Sequence, residues 1–239
     1  MSDGTPTWPD RTSAGEDLAR RLPMFWRPGE AITVIGIPRG GLVVAAPVAW
    51  RQGCPLVSWS TRRLVLPGSG GLGLGAVAPG GIVVIDPDQV RLQHVALATL
   101  LDLIQHQQLV VERHQRLFAE PRPAELAGHH LIVIDDYLVS GLTMEATVRS
   151  LRQLWPRSIT LAVPMGARGV IRGLRPEVDN LLVLISTDQP ETGLAWGRQL
   201  GPVELEQALR LLQSPLAGSA GDAPQSGSRD VSPGSSTSG

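Results

Sequence analysis

Short runs of branched and other apolar residues recur along this chain, and segments long enough to form helices separate most of them. Such runs are typical of strands buried on both faces of a sheet. The predicted strands are Ala31–Gly36, Leu56–Ser60, Ile82–Ile85, His130–Ile134, Ser158–Val163 and Asn180–Ile185. Strands that alternate with helices favour an α/β fold with a mostly parallel, twisted sheet and helices on both faces.

Helix signals fall between most of these strands and on either side of the series. The predicted helices are about Ser13–Leu22, Leu42–Gln52, Pro87–Glu120, Thr143–Leu154, Val170–Leu174 and Pro202–Gln213. A capping box at Ser13–Glu16 is expected to open the first of them. Pro47 is expected to kink the second helix or to delay its start, because proline lacks the backbone N–H group.

The composition predicts one folded domain, residues 10–214, between two disordered ends. Residues 1–9 are short and polar, and residues 215–239 are mostly Gly, Ser, Pro, Ala and Asp, which bury too little apolar area to offset the entropy of ordering. The Gly-rich segment 64–81 has no regular pattern, which favours either a mobile hood over a site or plain disorder.

Several classes of function are disfavoured by the residue counts. All 21 basic residues are arginine, which excludes lysine nucleophiles, and Cys54 is the only cysteine, which excludes an intrachain disulfide. The formal net charge of −1 gives no overall attraction to nucleic acid or anionic lipid. The N-terminus has no apolar signal segment and no apolar run is long enough to span a bilayer, so we expect a cytoplasmic protein.

The strand Leu131–Ile134 ends in two adjacent carboxylates, Asp135 and Asp136, and a short loop with hydroxyl groups and a glycine follows them. The loop leads into the helix predicted to begin at Thr143. Unpaired N–H groups and the positive end of the helix dipole make such a helix start a phosphate site. Because carboxylates accept hydrogen bonds from vicinal hydroxyl groups, the segment predicts a site for a ribose phosphate.

An ordinary helix cap is the alternative interpretation of this segment. Capping accounts for one aspartate and for Thr143, since Asp, Ser and Thr are common cap residues. It does not account for two adjacent carboxylates together with a second hydroxyl group on Ser140 and with Gly141. We therefore favour the ligand site.

The same segment resembles the phosphoribosyl pyrophosphate (PRPP) motif of type I phosphoribosyltransferases, in which a hydrophobic strand, paired acids and a small loop ending in Thr follow one another. Four more stretches resemble one branch of that family, in the same order along the chain: Asp10–Ala19, Gly36–Gly41, Arg62–Leu64 and Gly75–Gly81. The resemblance covers roughly residues 10–186, and five ordered matches are more specific than any single one.

The resemblance implies a role for each matched position. Asp135 and Asp136 would hold the ribose hydroxyl groups and Arg63 would help to neutralise pyrophosphate, so these three are the expected catalytic residues. The 5′-phosphate would be bound by Val139, Ser140, Gly141, Leu142 and Thr143. Pyrophosphate would be bound by Arg39, Gly40, Gly41 and Arg62. Mg²⁺ would bridge substrate oxygens without direct protein ligands, because it keeps waters and takes substrate phosphates.

A second interpretation stays open for the glycine pair, for the arginine pair and for Trp196. Gly40 and Gly41 also fit a tight turn, and Arg62 and Arg63 also fit a solvated sheet edge. Trp196 is either a residue that stacks on a base or a partly buried anchor, and we favour the anchor.

The resemblance implies a phosphoribosyltransferase that moves the phosphoribosyl group of PRPP to or from a nitrogenous acceptor, with pyrophosphate as the other product. The alternative is a non-catalytic regulatory protein that retains the pocket and senses PRPP or a nucleotide. The absence of a concentrated basic helix argues against nucleic acid as a partner. Dimers are common in that family, so a homodimer is one expected assembly.

Overall fold

The computed structural model describes residues 8–22, 29–68 and 71–213. The strands are β1 (Ile32–Gly36), β2 (Leu56–Ser58), β3 (Arg62–Val65), β4 (Gly73–Ala78), β5 (Ile82–Ile85), β6 (His130–Ile134), β7 (Tyr137–Leu138), β8 (Ser158–Ala167) and β9 (Asn180–Thr187). The helices are α1 (Arg11–Arg21), α2 (Gly40–Gln52), α3 (Pro87–Leu92), α4 (Leu97–Leu117), α5 (Leu142–Arg152), α6 (Arg168–Leu174), α7 (Pro190–Leu200) and α8 (Leu205–Leu212).

Six strands form one sheet in which every strand pair is parallel. Its order is β2-β1-β6-β8-β7, and β9 pairs with β8. β6 and β7 pair with successive parts of β8, so Asp135 and Asp136 lie in the short break between them. The predicted α/β fold with a mostly parallel sheet is confirmed.

Apolar side chains of β6 alternate between the two faces of this sheet, and helices cover both faces. Ile132 and Ile134 belong to a core with α1, α2 and α8, whereas Leu131 and Val133 belong to a core with α5 and α6. All four are essentially fully buried. Burial of each such side chain stabilises the fold by roughly 1.5–3 kcal/mol, which holds the end of β6 in a fixed place.

A second, antiparallel sheet of three strands, β3-β4-β5, was not expected from the sequence. Of the two interpretations of segment 64–81, plain disorder was wrong for the part that forms β4, whereas the mobile hood stays a prediction; residues 69 and 70 lie outside the described residues. Leu64, Leu74, Val77 and Val111 form the core between this sheet and α4. Packing against α4 therefore stabilises β4, a strand that its Gly-rich sequence does not predict.

The predicted helix bounds differ from the observed ones by a few residues, and three of the differences concern α1, α2 and the region of α3 and α4. α1 begins at Arg11 rather than at Ser13, because the side chain of Asp10 accepts a 2.7 Å hydrogen bond from the Ser13 amide and caps the helix. α2 starts at Gly40, so the predicted delay caused by Pro47 was wrong. The single predicted helix over 87–120 is two helices, α3 and α4, separated by residues 93–96.

Two further features lie near the ends of the described chain: the helix α7 and a contact between two tryptophans. α7 was not predicted, and its Trp196 is buried with its ring centroid 6.0 Å from that of Trp8. Ordered structure therefore reaches Trp8, inside the segment 1–9 that was predicted to be disordered. Residues 1–7 and the predicted tail 215–239 lie outside the described residues.

Within the described ranges, none of the helices combines the length and the apolar character that a membrane crossing requires.

Candidate functional site

A cavity of about 510 Å³ opens at the carboxyl ends of β1 and β6. All of the predicted site residues except Gly41 and Leu142 line it. The other lining residues are Ile37, Pro38, Thr61, Val65, Gln107, Tyr137, Leu138 and Met144. Its volume lies within the range of roughly 300–1,000 Å³ that is usual for small-molecule sites. The structure thus brings the separate predicted segments together around one hollow.

The loop before α5 presents a helix N-terminus to this cavity. Gly141 has φ 76° and precedes the first residue of α5, Leu142, so a left-handed residue turns the chain into the helix. The first backbone N–H groups of a helix have no partner within it, which suits an anionic ligand. The side chain of Leu142 does not reach the cavity, because it packs into the cluster that contains Ala76 and Val84.

The two glycines at the start of α2 give room to the two acids. A Cβ atom on Gly40 would overlap the Oδ2 atom of Asp136, and one on Gly41 would lie 3.1 Å from Oδ1 of Asp135 and 2.7 Å from the carbonyl oxygen of Ile134. Neither glycine has a positive φ. Close approach, rather than an unusual turn conformation, therefore requires glycine at both positions.

Arg11 forms an ion pair with the second acid. Its Nε atom lies 2.9 Å from Oδ2 of Asp136, and its Nη1 atom donates a 3.1 Å hydrogen bond to the carbonyl oxygen of Gly201. The side chains of Arg11 and Asp136 are only 10% and 14% exposed. The first turn of α1 and the end of α7 are thereby both connected to the acid pair.

Asp135 lies in a different electrostatic environment. Burial, and then the neighbouring carboxylate of Asp136, raise the pKa of Asp135 well above its ordinary value. Burial, and then the charges of both acids, also raise the pKa of Tyr137, so its phenol keeps its proton at neutral pH. The lining of the cavity therefore includes one carboxylate paired with arginine, one carboxyl group whose pKa is raised by burial, and one phenol.

Three arginines also line the cavity. Arg39 precedes α2, after a cis peptide bond that joins it to Pro38. Arg62 and Arg63 lie on β3; Arg62 donates a 3.4 Å hydrogen bond to Gln107, and Arg63 donates a 3.1 Å hydrogen bond to the carbonyl oxygen of Gly71. In the part of the chain that the structure describes, none of the three arginines has an ion-pair partner, so all three guanidinium groups remain available to an anionic ligand.

Two aromatic residues have distinct positions. Tyr137 lines the cavity and lies against Gly197, where an added Cβ atom would be 2.7 Å from the Tyr137 Cε1 atom. Trp196 is 4% exposed, and its Nε1 atom donates a 3.3 Å hydrogen bond to the carbonyl oxygen of Trp8. The interpretation of Trp196 as an anchor is confirmed.

The sequence did not assign a site role to Arg11, Thr61 or Gln107. Arg11 stood within a matched stretch, but its contact with Asp136 spans 125 positions along the chain and leaves no local pattern. Thr61 is held by a 2.8 Å hydrogen bond between its hydroxyl group and that of Thr147 on α5. Gln107 comes from α4, which packs against a sheet that the sequence did not predict.

Comparisons with known proteins relate the chain to one family. The sequence model of the family described as "Phosphoribosyl transferase domain" matches residues 76–179. Two proteins of Mycobacterium tuberculosis, from strains CDC 1551 and H37Rv, have names that class them provisionally as phosphoribosyl transferases; each is 32% identical over 177 residues. The match covers 73% of this chain but only 39% of each of those proteins.

A solved structure extends the likeness over most of the chain. The crystal structure of the protein TT1426 from Thermus thermophilus matches with a TM-score of 0.65 and 30% sequence identity. The match covers 85% of this chain and 96% of that chain.

Proposed function

The chain belongs to the phosphoribosyltransferase family, and we propose that it binds PRPP together with Mg²⁺ and transfers the phosphoribosyl group to a nitrogenous acceptor. The observation that carries this proposal is the shared cavity: the acid pair, the N-terminus of α5 and three arginines line it together. These groups match the ribose diol, the 5′-phosphate and the pyrophosphate of one ligand. The chain spans only 39% of the length of the two mycobacterial relatives. The proposed activity therefore refers to the matched region and not to the rest of those proteins.

In the proposed complex, the backbone N–H groups of Ser140–Thr143 bind the 5′-phosphate, and the positive end of the α5 dipole adds to the attraction. Gly141 brings the backbone close to the phosphate, as its left-handed conformation allows. The acids Asp135 and Asp136 face the ribose ring that follows. This arrangement fixes the sugar between two rigid elements, β6 and α5.

Arg39, Arg62 and Arg63 are proposed to bind the pyrophosphate. A nucleophile displaces pyrophosphate from C1 with inversion, through a transition state that resembles a ribosyl oxocarbenium ion beside a departing polyanion. The arginines stabilise the negative charge that develops on the leaving group, and the fixed ribose keeps C1 in line with the acceptor. The chain therefore contributes orientation and charge stabilisation without a covalent intermediate.

The donor set of the cavity fits Mg²⁺ that arrives with the substrate. Among the described residues, no group of three or more His, Cys, Asp and Glu side chains is arranged to hold a metal ion. Mg²⁺ retains several waters and takes substrate phosphate oxygens, so it needs no cage of protein ligands. When bound, it neutralises part of the pyrophosphate charge.

Calorimetric titration of PRPP with Mg²⁺ tests the binding. We expect saturable binding by the wild-type protein and its loss when Asp135 and Asp136 are both replaced by Asn. Asp102→Asn is the matched control, because Asp102 is exposed on α4 away from the cavity, and it should bind as the wild type does. Equal PRPP affinity for the double variant and the wild type would refute the role of the acids.

Release of pyrophosphate separates transfer from sensing. The protein is incubated with PRPP, Mg²⁺ and a panel of purines, pyrimidines and other amines, and pyrophosphate is measured against time. Acceptor-dependent release supports the transferase. Saturable PRPP binding without release for any acceptor would favour the regulatory alternative.

A further inference from the structure

The two acids have unequal sets of hydrogen-bond donors. In Asp136, Oδ1 accepts a 3.1 Å hydrogen bond from the Tyr137 amide, and Oδ2 accepts the Nε–H of Arg11 at 2.9 Å. In Asp135, Oδ1 accepts a 2.9 Å hydrogen bond from the Asp136 amide, and no N–H group of any described residue donates to Oδ2. Both oxygens of Asp136 are thus occupied by protein donors, whereas one oxygen of Asp135 is not.

Arg11 is held rigidly enough to act on Asp136. Its guanidinium group also bonds the carbonyl oxygen of Gly201, and the Nε atom would lie 3.1 Å from a Cβ atom placed on Gly40. The pair is nearly buried on both sides. Charge-assisted hydrogen bonds between buried partners are shorter and stronger than neutral ones, and they restrict the rotation of the carboxylate.

We propose that Arg11 is a positioning residue of the PRPP site, which fixes Asp136 by an ion pair and leaves Asp135 as the acid that accepts hydrogen bonds from the ribose hydroxyl groups. This inference rests on the proposed function. Arg11 does not touch the ligand; it sets the orientation of Asp136, and the Asp136 amide in turn holds Asp135. The N-terminal helix α1 thereby belongs to the PRPP site, although it lines no part of the cavity itself.

Single substitutions distinguish the ligand contact proposed for Asp135 from the ion pair that fixes Asp136. We measure PRPP affinity by calorimetry in the presence of Mg²⁺, and the midpoint of thermal unfolding, for Asp135→Asn, Asp136→Asn, Arg11→Gln and Arg11→Lys. Asp135→Asn should weaken binding by about a hundredfold, because the amide replaces one of the two carboxyl oxygens that can accept hydrogen bonds from the ribose by an NH₂ donor. Asp136→Asn should weaken it by less than about tenfold, because the Asn oxygen still accepts a hydrogen bond from Arg11.

The Arg11 variants report on positioning. Arg11→Gln should weaken PRPP binding by about tenfold or more, whereas Arg11→Lys, which keeps a positive charge beside Asp136, should recover most of the affinity. Arg20→Gln is the matched control on the same helix, because the Arg20–Asp17 pair is exposed, and it should leave binding unchanged. A purely structural role would lower the melting temperature of Arg11→Gln without the recovery of affinity by lysine.

One further variant keeps the test decisive if Arg11→Gln unfolds. The double variant Arg11→Gln with Asp136→Asn removes the buried charge along with its partner, so it should fold and should bind PRPP more tightly than Asp135→Asn. Equal losses for Asp135→Asn and Asp136→Asn, or wild-type affinity for Arg11→Gln, would overturn the inference and leave the proposed function intact. Absence of PRPP binding by the wild-type protein would overturn both.

Discussion

Replacement of Glu120 by Gln should make the stability of the protein less dependent on pH. Glu120 follows α4, and its Oε1 atom accepts hydrogen bonds from the hydroxyl groups of Ser60 at 2.5 Å and Ser58 at 3.2 Å. Its Oε2 atom is buried and has no hydrogen-bond partner among the described residues. Burial raises the pKa of Glu120 from 4.5 to about 7, although the two serines oppose the shift.

The sign and the size of the effect follow from proton linkage. The unfolded chain releases the Glu120 proton near pH 4.5, whereas the folded protein holds it up to about pH 7. The stabilisation is therefore fully present below pH 4.5 and is lost as the pH rises through about 7. At roughly 1.4 kcal/mol for each pKa unit, the whole loss amounts to about 3.5 kcal/mol. Gln has no titratable proton, so the free energy of unfolding of Glu120→Gln should not decrease in this way as the pH rises.

Urea unfolding at about pH 5, 6, 7 and 8 gives the free energy of unfolding at each pH. The free energy of unfolding of Glu120→Gln should rise relative to that of the wild type by about 2.5 kcal/mol between about pH 5 and 8, because part of the change lies below pH 5. Glu112→Gln, an exposed change on the preceding helix α4, serves as the control and should run parallel to the wild type. Parallel curves for Glu120→Gln and the wild type would refute the reasoning.

Three other substitutions test packing and the site. Gly40→Ala should weaken PRPP binding by about tenfold or more in calorimetry, because the added Cβ atom overlaps Oδ2 of Asp136; unchanged affinity would contradict the close approach. Gly15→Ala should cost about 1–3 kcal/mol in urea unfolding, because its Cβ atom would overlap the carbonyl oxygen of Val44. Gly173→Ala, where the added atom meets nothing within 4 Å, should cost nothing and is the control. Trp196→Ala should cost about 3–5 kcal/mol, because it removes a buried indole from its contact with Trp8; a loss below about 1 kcal/mol would show that Trp196 is not an anchor.

The parallel sheet could be predicted because its strands are buried on both faces. Leu131–Ile134 is an unbroken apolar run for that reason, and the acids that follow it mark the strand end. The small sheet could not be predicted in the same way. β3 begins with two arginines and β4 contains Gly73 and Gly75, residues that carry little intrinsic preference for strands. Their pairing depends on contacts with α4.

The site could be predicted where its residues are adjacent in sequence. The segment from Asp135 to Thr143 signals its chemistry locally, because a strand end, a small loop and a helix start follow each other within a few residues. Contacts between distant segments leave no such signal. The Arg11–Asp136 ion pair and the fit of Gly40 against the same acid arise only when α1, α2 and β6 are packed together. The ligand contacts assigned to the individual residues stay predictions.

The cavity is built from two separately paired sheets, and this division has a consequence for partial unfolding. Arg62 and Arg63 lie on β3, which in the described ranges pairs only with β4, whereas the acids follow β6 of the large sheet. Local opening of the small sheet would carry both cations away from the acids, and it would also remove the packing of Leu142 at the start of α5. Mild denaturant should therefore abolish pyrophosphate release before the large parallel sheet unfolds.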